Sequence, residues 1–466
     1  MLFPSLTFIF VFLPIVLALY FAAFRKSRQA QNIVLLGSSL FFYAWGEPRF
    51  VFVMLLCIAS NWFFALRIAA QKPKSRNAKR YVALALVFDI SVLFVAKYLT
   101  FTSLAIGQMT GIDLPDPGIE LPIGISFFTF QAISYVIDVY RGEKAQQSIL
   151  NVAFYISFFP QLIAGPIIRY DTFASQIEGR KESVRKFATG IQRFTVGLAK
   201  KVLLANTLGL IADRAFAEGE GCILLLWLGL IAYTLQIYYD FSGYSDMALG
   251  LGKMFGFDFP ENFNYPYVSK SISEFWRRWH ISLGTWFRDY VYIPLGGSRV
   301  SSRLRLLVNL FIVWSLTGLW HGANWTFVVW GLLYFVLLSL EKLWPHFSKM
   351  LARFPAVGSV YTLFFVMMGW VLFRADDIGS ALTYYNGLFF GEVLYDQTTL
   401  VLLQENAVFI FAAILLSTPV LQKIVARFPY KQAVSWIETA GLAILFVVSV
   451  SYIVKGFYNP FIYFNF

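Results

Sequence analysis

The chain has 466 residues, of which 58% are hydrophobic, 19% are aromatic and 14% are charged. Soluble domains carry about 25% charged residues, so lipid must solvate most of this surface. The formal net charge is +12, but the basic residues lie in short loops between apolar runs, which is typical of the cytoplasmic side of a membrane protein and argues against nucleic-acid binding. Since no polar stretch is long enough for an independent soluble domain, we expect one membrane domain over residues 1–466.

Apolar runs long enough to cross a membrane recur along the whole chain. A transmembrane helix needs about 20 mostly apolar residues. The candidate spans are roughly 5–24, 31–46, 49–70, 81–107, 121–140, 195–216, 222–247, 306–320, 323–340, 356–374, 405–421 and 436–456. This pattern predicts an all-α polytopic integral membrane protein with about 11–12 transmembrane helices.

The positions of the charges predict the orientation of the first spans. The first apolar run lacks a basic segment before it, and positive charges follow it, so we interpret it as a retained span with an extracytoplasmic N-terminus. Counting crossings from there places 71–80 and 141–149 inside and 108–120 outside, in agreement with the positions of basic and acidic residues. The basic stretch 169–194 is predicted to be cytoplasmic.

Two segments do not have the pattern of ordinary spans. Residues 150–168 are apolar but interrupted by Pro160, Gly165 and Pro166, and residues 258–299 combine aromatic residues with arginine, proline and glycine. Irregular backbone at membrane depth is tolerated only when it is buried in protein or lines a wet cavity. We therefore predict re-entrant or interfacial pieces around an internal site. No clean internal repeat is visible, which disfavours a transporter built from inverted halves.

A polar cluster over residues 236–246 ends one of the apolar runs. Asp240 and Asp246 in this cluster are candidates to orient a catalytic histidine or to pair with an arginine. The alternative interpretation is an ordinary cytoplasmic helix end.

Residues 271–284 contain a second group of candidates. Ser271 and Glu274 have capping-box spacing, which predicts that a helix begins here. Trp276, His280 and Gly284 then lie on one face of that helix at four-residue spacing.

Two adjacent arginines, Arg277 and Arg278, follow on the same predicted helix. Guanidinium groups bind phosphates through paired hydrogen bonds, so these two and Arg288 suit either the phosphates of a nucleotide donor or anionic lipid headgroups. The alternative is an interfacial amphipathic helix whose arginines extend to the membrane surface.

His321 is the most informative polar residue. The apolar stretch from about 304 to 340 is too long for one span, so it must break near residues 318–324, beside this histidine. Ionisable groups at membrane depth are costly and are functional candidates by default. Gly318 and Gly322 allow another helix or a ligand to approach the ring. The structural alternative is a neutral histidine hydrogen-bonded to another helix.

The sequence excludes several chemistries. Three histidines and two scattered cysteines, Cys57 and Cys222, give no zinc-ligand spacing, so we predict no metal site. No phosphate-binding glycine loop, dinucleotide-binding turn or G-x-S-x-G elbow occurs. The remaining chemistry is a buried histidine that deprotonates a hydroxyl or relays an acyl group.

A series of motifs connects these features. The strongest are FWRRWHISL at 275–283, YIPLGG at 292–297 and LWHG at 319–322, preceded by matching segments at 36–45, 121–131, 159–167 and 239–246. In this order, over most of residues 1–375, they resemble the membrane-bound O-acyltransferases, specifically the bacterial branch of alginate O-acetyltransferase and its relatives.

The resemblance implies a function and an arrangement of the site. His321 matches the catalytic histidine of the family, and His280 matches its second histidine, at the opposite mouth of a central tunnel. The tunnel admits an acyl donor from the cytoplasm and an acceptor from the outer face of a bacterial inner membrane. Relatives work with a periplasmic or membrane-anchored SGNH-type partner that acetylates a polysaccharide such as alginate, cellulose or peptidoglycan.

We expect the donor to be acetyl-CoA, used as a substrate, with no bound cofactor. His321 is the expected base, and Thr317, Trp320 or Asn324 is expected to orient it. The candidate donor- and substrate-binding residues are Trp276, Arg277, Arg278, Asp240, Trp320 and Asn324.

Two rival functions remain open at this stage. One is a D-alanyl transferase of the teichoic-acid type, whose donor is a carrier protein. The other, from a different class, is a transporter or flippase for a lipid-linked intermediate, which would have no need of acyl transfer at His321.

Overall fold

The computed structural model describes residues 1–23, 27–112, 117–219, 221–427, 432–456 and 461–462, and the regular structure of these residues is helical throughout. Nine helices in this part of the chain are long and apolar enough to cross a membrane. They are Phe50–Ala69, Arg76–Thr110, Val184–Glu218, Ile223–Met254, Arg303–His321, Trp325–Leu343, Pro355–Arg374, Gln397–Leu416 and Trp436–Lys455. Each overlaps a predicted span, so the all-α polytopic fold class is confirmed.

The three other predicted spans are also helical but shorter or more polar. They form Phe8–Ala22, Arg28–Gly46 and Ile125–Arg141. The second begins where the Ser27 side chain accepts a hydrogen bond from the amide of Ala30, a typical N-cap. The third has 17 residues and buries most of them.

The basic stretch before residue 201 is helical, where a loop was expected. Its helices are Tyr170–Gly179 and the first part of Val184–Glu218. We had expected the basic residues of this stretch to lie in a loop. On the second helix, however, a carboxylate pairs with Arg193, whose guanidinium lies 2.8 Å from Asp246. A paired charge does not require a loop.

The described residues pack as two compact units, and the single membrane domain stays a prediction. The first unit comprises Met1–Phe194 and Ser245–Pro260. In it, the helices Phe50–Ala69, Arg76–Leu93 and Ile125–Arg141 pack against one another. The segment 150–168 forms two short helices, Ile149–Ser157 and Phe159–Leu162, so it does not span the membrane as one helix, as predicted.

The second unit comprises Thr195–Tyr244 and Glu261–Phe466. Besides the long helices, it contains Pro266–Val268, Ile272–Arg278, Ile281–Phe287, Arg288–Tyr292, Pro345–Arg353, Ile378–Phe390 and Val420–Val425. Its most extensive helix pair is Arg303–His321 with Trp325–Leu343. Both candidate histidines lie in this unit, one on that helix pair and one among the short helices.

Candidate active site

His321 is the last residue of the helix Arg303–His321 and is 2% exposed. Its Nδ1 lies 2.7 Å from the backbone carbonyl oxygen of Thr317, one helical turn earlier. A carbonyl oxygen only accepts, so Nδ1 carries the proton and donates it. When the ring is neutral, Nε2 therefore holds the lone pair that a general base requires.

Three glycines explain how the helix after the break packs against His321. A Cβ at Gly318 would lie 2.4 Å from the carbonyl oxygen of Phe327, and one at Gly331 would lie 2.5 Å from that of Trp314. A Cβ at Gly322 would overlap the Phe327 ring. The small residues therefore allow the approach of another helix, which was one of the two possibilities left open by the sequence.

His280 is held between two short helices in a left-handed backbone conformation, with φ +44°. Its Nδ1 lies 3.2 Å from Oδ1 of Asn262, and the same oxygen accepts hydrogen bonds from the amide and hydroxyl of Ser282. Since Oδ1 is an acceptor, Nδ1 of His280 donates, as in His321. Burial holds the pKa of His280 well below its usual range, so the ring is neutral.

The predicted helix face through His280 is wrong. The capping prediction is confirmed, because the Ser271 side chain accepts a hydrogen bond from the amide of Glu274. The helix nevertheless ends at Arg278, and a new one begins at Ile281. The positive φ of His280 breaks the helix, so Trp276, His280 and Gly284 do not share one helical face.

A cavity of about 490 Å³ is lined by three of the eight candidate residues, Trp276, Arg277 and His280. Its lining includes His280, Trp276 and Thr317, the residue whose carbonyl oxygen orients His321. It also includes three cations, Arg277, Arg288 and Lys342. The cavity therefore combines a neutral histidine, a largely apolar wall and three cations suited to phosphates.

Trp320 contacts both histidines. Its ring centroid is 4.9 Å from that of His321 and 6.0 Å from that of His280. Both imidazoles thus pack against the same side chain, whereas the resemblance implied positions at opposite mouths of a tunnel. Trp320 was predicted to orient His321, and it packs edge-on against the ring.

The two arginines of the motif have different surroundings. Arg277 is exposed and lines the cavity. Arg278 donates to the carboxylate of Glu274 at 2.7 Å and to the backbone oxygen of Asn264. The structure thus brings only Arg277 of this pair into the cavity.

Asn324 and Asp240 have partners away from the cavity. Asn324 caps the helix Trp325–Leu343 by accepting from the amide of Thr326, and its Nδ2 donates to the backbone oxygen of Asp376. Asp240 is 1% exposed and lies 2.6 Å from Nζ of Lys201. Sequence reasoning missed Lys201 as its partner, and it missed Asn262 beside His280.

A helical membrane bundle with a buried, neutral histidine beside a cation-bearing cavity is the arrangement of an enzyme that moves a group by general-base chemistry. Residues 38–375 match the membrane-bound O-acyltransferase family. The chain belongs to this family, and it is a multi-pass membrane O-acyltransferase.

Curated relatives agree with that assignment. A protein of Pseudomonas aeruginosa named probable alginate O-acetylase is 43% identical over 394 residues, which cover 84% of this chain and 75% of that protein. The peptidoglycan O-acetyltransferase of Helicobacter pylori is 31% identical, with 100% of this chain and 98% of that protein covered. The teichoic acid D-alanyltransferase of Bacillus subtilis is 28% identical, covering 69% of this chain and 85% of that protein.

Proposed function

We propose that this enzyme takes an acetyl group from acetyl-CoA at the cytoplasmic face of a bacterial inner membrane and passes it to an extracytoplasmic polysaccharide through an SGNH-type partner. The observation that carries the donor assignment is the cavity in which Arg277, Arg288 and Lys342 accompany His280. Coenzyme A is rich in phosphates, which bind such cations. The relatives named for alginate and peptidoglycan acetylation support the acceptor class.

The proposed reaction uses His321 as the base. The acceptor hydroxyl oxygen attacks the carbonyl carbon of the thioester, and its proton moves to Nε2 of His321. The tetrahedral intermediate then expels the thiolate, which takes up the proton. The Thr317 carbonyl keeps the Nδ1 proton in place throughout, because it accepts from that atom at 2.7 Å.

The test is incubation of the purified protein with acetyl-CoA labelled in the acetyl group, with and without an extracytoplasmic partner from the same genome. We expect thioester turnover and label on the partner or polymer. Turnover of a thioester on a carrier protein, with none of acetyl-CoA, would contradict the donor and favour the D-alanyl type of reaction. Movement of a lipid-linked intermediate without thioester turnover would favour the flippase.

The orientation makes a separate prediction. In the Lys74→Cys variant the new thiol should resist an impermeant reagent in intact cells, and in Glu120→Cys it should react, since the first position is predicted inside and the second outside. Both positions are exposed, and the natural Cys57 and Cys222 are buried, which keeps the background low. Strong labelling at position 74 would refute the orientation.

The two arginines provide a matched pair for testing the donor site. Arg277→Gln should raise the KM for acetyl-CoA roughly 10- to 100-fold, because a hydrogen bond to a charged group contributes about 1.5–3 kcal/mol. Arg278→Gln should leave this KM unchanged, since its guanidinium is occupied by Glu274. Steady-state kinetics on both variants measures the difference. Equal changes of KM in the two variants would contradict the assignment of Arg277, and not Arg278, to the donor site.

A further inference from the structure

Three hydrogen-bond donors form a contiguous group beside the candidate active site. We call the side chains of Trp276, Trp330 and Tyr334 the donor wall. Their ring centroids lie 4.8 to 5.6 Å apart, edge to face. Trp330 and Tyr334 are fully buried. Among the described residues, none supplies a hydrogen-bond partner to the indole nitrogens of Trp276 and Trp330 or to the hydroxyl of Tyr334.

Burying these three donors without partners destabilises the fold unless they bind a ligand. A buried polar group without a partner costs about 1–3 kcal/mol, and a membrane interior offers no water to compensate. At position 334, phenylalanine would fill nearly the same space as tyrosine with no polar atom. Three unpartnered donors in mutual contact therefore indicate an acceptor that arrives with a substrate.

The donor wall contacts both the cavity and His321. Trp276 is part of the cavity lining. Trp330 contacts the His321 ring, with centroids 4.8 Å apart. An acyl group held between the cavity and the base would therefore lie close to these side chains.

A glycine on a neighbouring helix holds the Tyr334 hydroxyl in place. A Cβ at Gly369 would lie 2.7 Å from the hydroxyl oxygen. The helix Pro355–Arg374 thus approaches Tyr334 so closely that no larger residue fits at this position without displacing the hydroxyl.

We propose that the Tyr334 hydroxyl, together with the indole N–H groups of Trp276 and Trp330, donates hydrogen bonds to the carbonyl oxygen of the acyl group during transfer. When the acceptor oxygen attacks the carbonyl carbon, the electron pair of the carbonyl bond moves to this oxygen. The donor wall stabilises the resulting oxyanion until the thiolate leaves and the carbonyl re-forms. The inference rests on the proposed acyl transfer and adds the groups that bind its transition state.

The decisive variant is Tyr334→Phe, which removes one oxygen atom. Loss of one oxyanion donor lowers kcat about 10²- to 10³-fold, and we expect this with little change in the KM for acetyl-CoA. The melting temperature should stay the same or rise, because the lost hydroxyl had no partner within the fold. A merely structural role predicts unchanged kcat.

Tyr239→Phe is the matched control. Tyr239 is equally buried, but its hydroxyl donates to the backbone oxygen of Ala413 at 2.6 Å. This variant should have a lower melting temperature and an unchanged kcat, which is the opposite of the result expected for Tyr334→Phe. Gly369→Ala is the second test variant, since it keeps the hydroxyl and displaces it, and kcat should again fall. If Tyr334→Phe does not fold, the kcat of Gly369→Ala tests whether the Tyr334 hydroxyl takes part in the reaction.

Measuring the wild type and His321→Ala in the same assay distinguishes failure of the donor-wall proposal from failure of the proposed function. Wild-type kcat in Tyr334→Phe, with His321→Ala inactive, would overturn the donor wall and leave the proposed function standing. No thioester turnover by the wild-type enzyme would overturn both.

Discussion

His321→Ala should reduce acyl transfer to near background while the protein remains folded. General-base catalysis contributes about 10²–10⁴-fold, and the hydrogen bond from Nδ1 to the Thr317 carbonyl leaves Nε2 as the atom that takes up a proton. The close helix contacts at Gly318 and Gly331 involve backbone atoms and not the imidazole, so we expect them to persist in this variant. Thioester turnover by purified protein and polymer acetylation in cells measure the loss. Detergent-extracted yield and melting temperature serve as controls.

His280→Ala provides the comparison within the same site. His280 lines the cavity, and its ring contacts Trp320, which also packs against His321. We expect partial activity, since this ring positions the donor and His321 takes the proton. A well-folded His321→Ala enzyme that turns over acetyl-CoA at the wild-type rate would contradict the mechanism and favour the transporter hypothesis.

Lys201→Met should destabilise the protein strongly without touching the cavity. Lys201 and Asp240 are 2% and 1% exposed, and their charged atoms lie 2.6 Å apart. Removal of one partner from a buried pair costs about 3–5 kcal/mol, because the other charge is left uncompensated. Thermal unfolding in detergent should show a large drop in melting temperature.

The double variant Lys201→Met, Asp240→Leu separates charge from packing. Replacing both partners by apolar residues is often neutral or stabilising, so this protein should recover most of the lost stability. Arg214→Gln is the surface control, because Arg214 and Glu218 are 39% and 44% exposed, and exposed pairs contribute about 0–1 kcal/mol. A double variant as unstable as Lys201→Met would contradict the explanation.

Local signals in the sequence predicted the parts of the site that depend on one helix. The break after His321 follows from the length of an apolar run, and the helix start at Ser271 follows from capping chemistry. The different roles of the two arginines were not predictable from spacing. Glu274 is four residues from Arg278 and three from Arg277, and both spacings suit helical ion pairs, but the structure pairs Glu274 with Arg278.

Contacts between distant segments were not predictable in the same way. Lys201 has the pattern of a loop charge until its partner 39 residues later, Asp240, is brought beside it. Asn262 lies in an aromatic segment without periodicity, and only the fold shows that its side chain holds His280 and Ser282. The donor wall likewise joins residues of two helices, and its sequence signal is no more than tryptophan and tyrosine in apolar runs.

The hydrogen bond that orients His321 has an evolutionary consequence. The carbonyl that accepts this hydrogen bond belongs to Thr317, on the same helix as His321 and one turn away. The group that orients the base therefore lies on the same helix as the base itself. Helices and loops around it can change to suit a different polymer, and the tautomer of the ring is unaffected. A lineage built on this helix can diversify its acceptors while inheriting the same base.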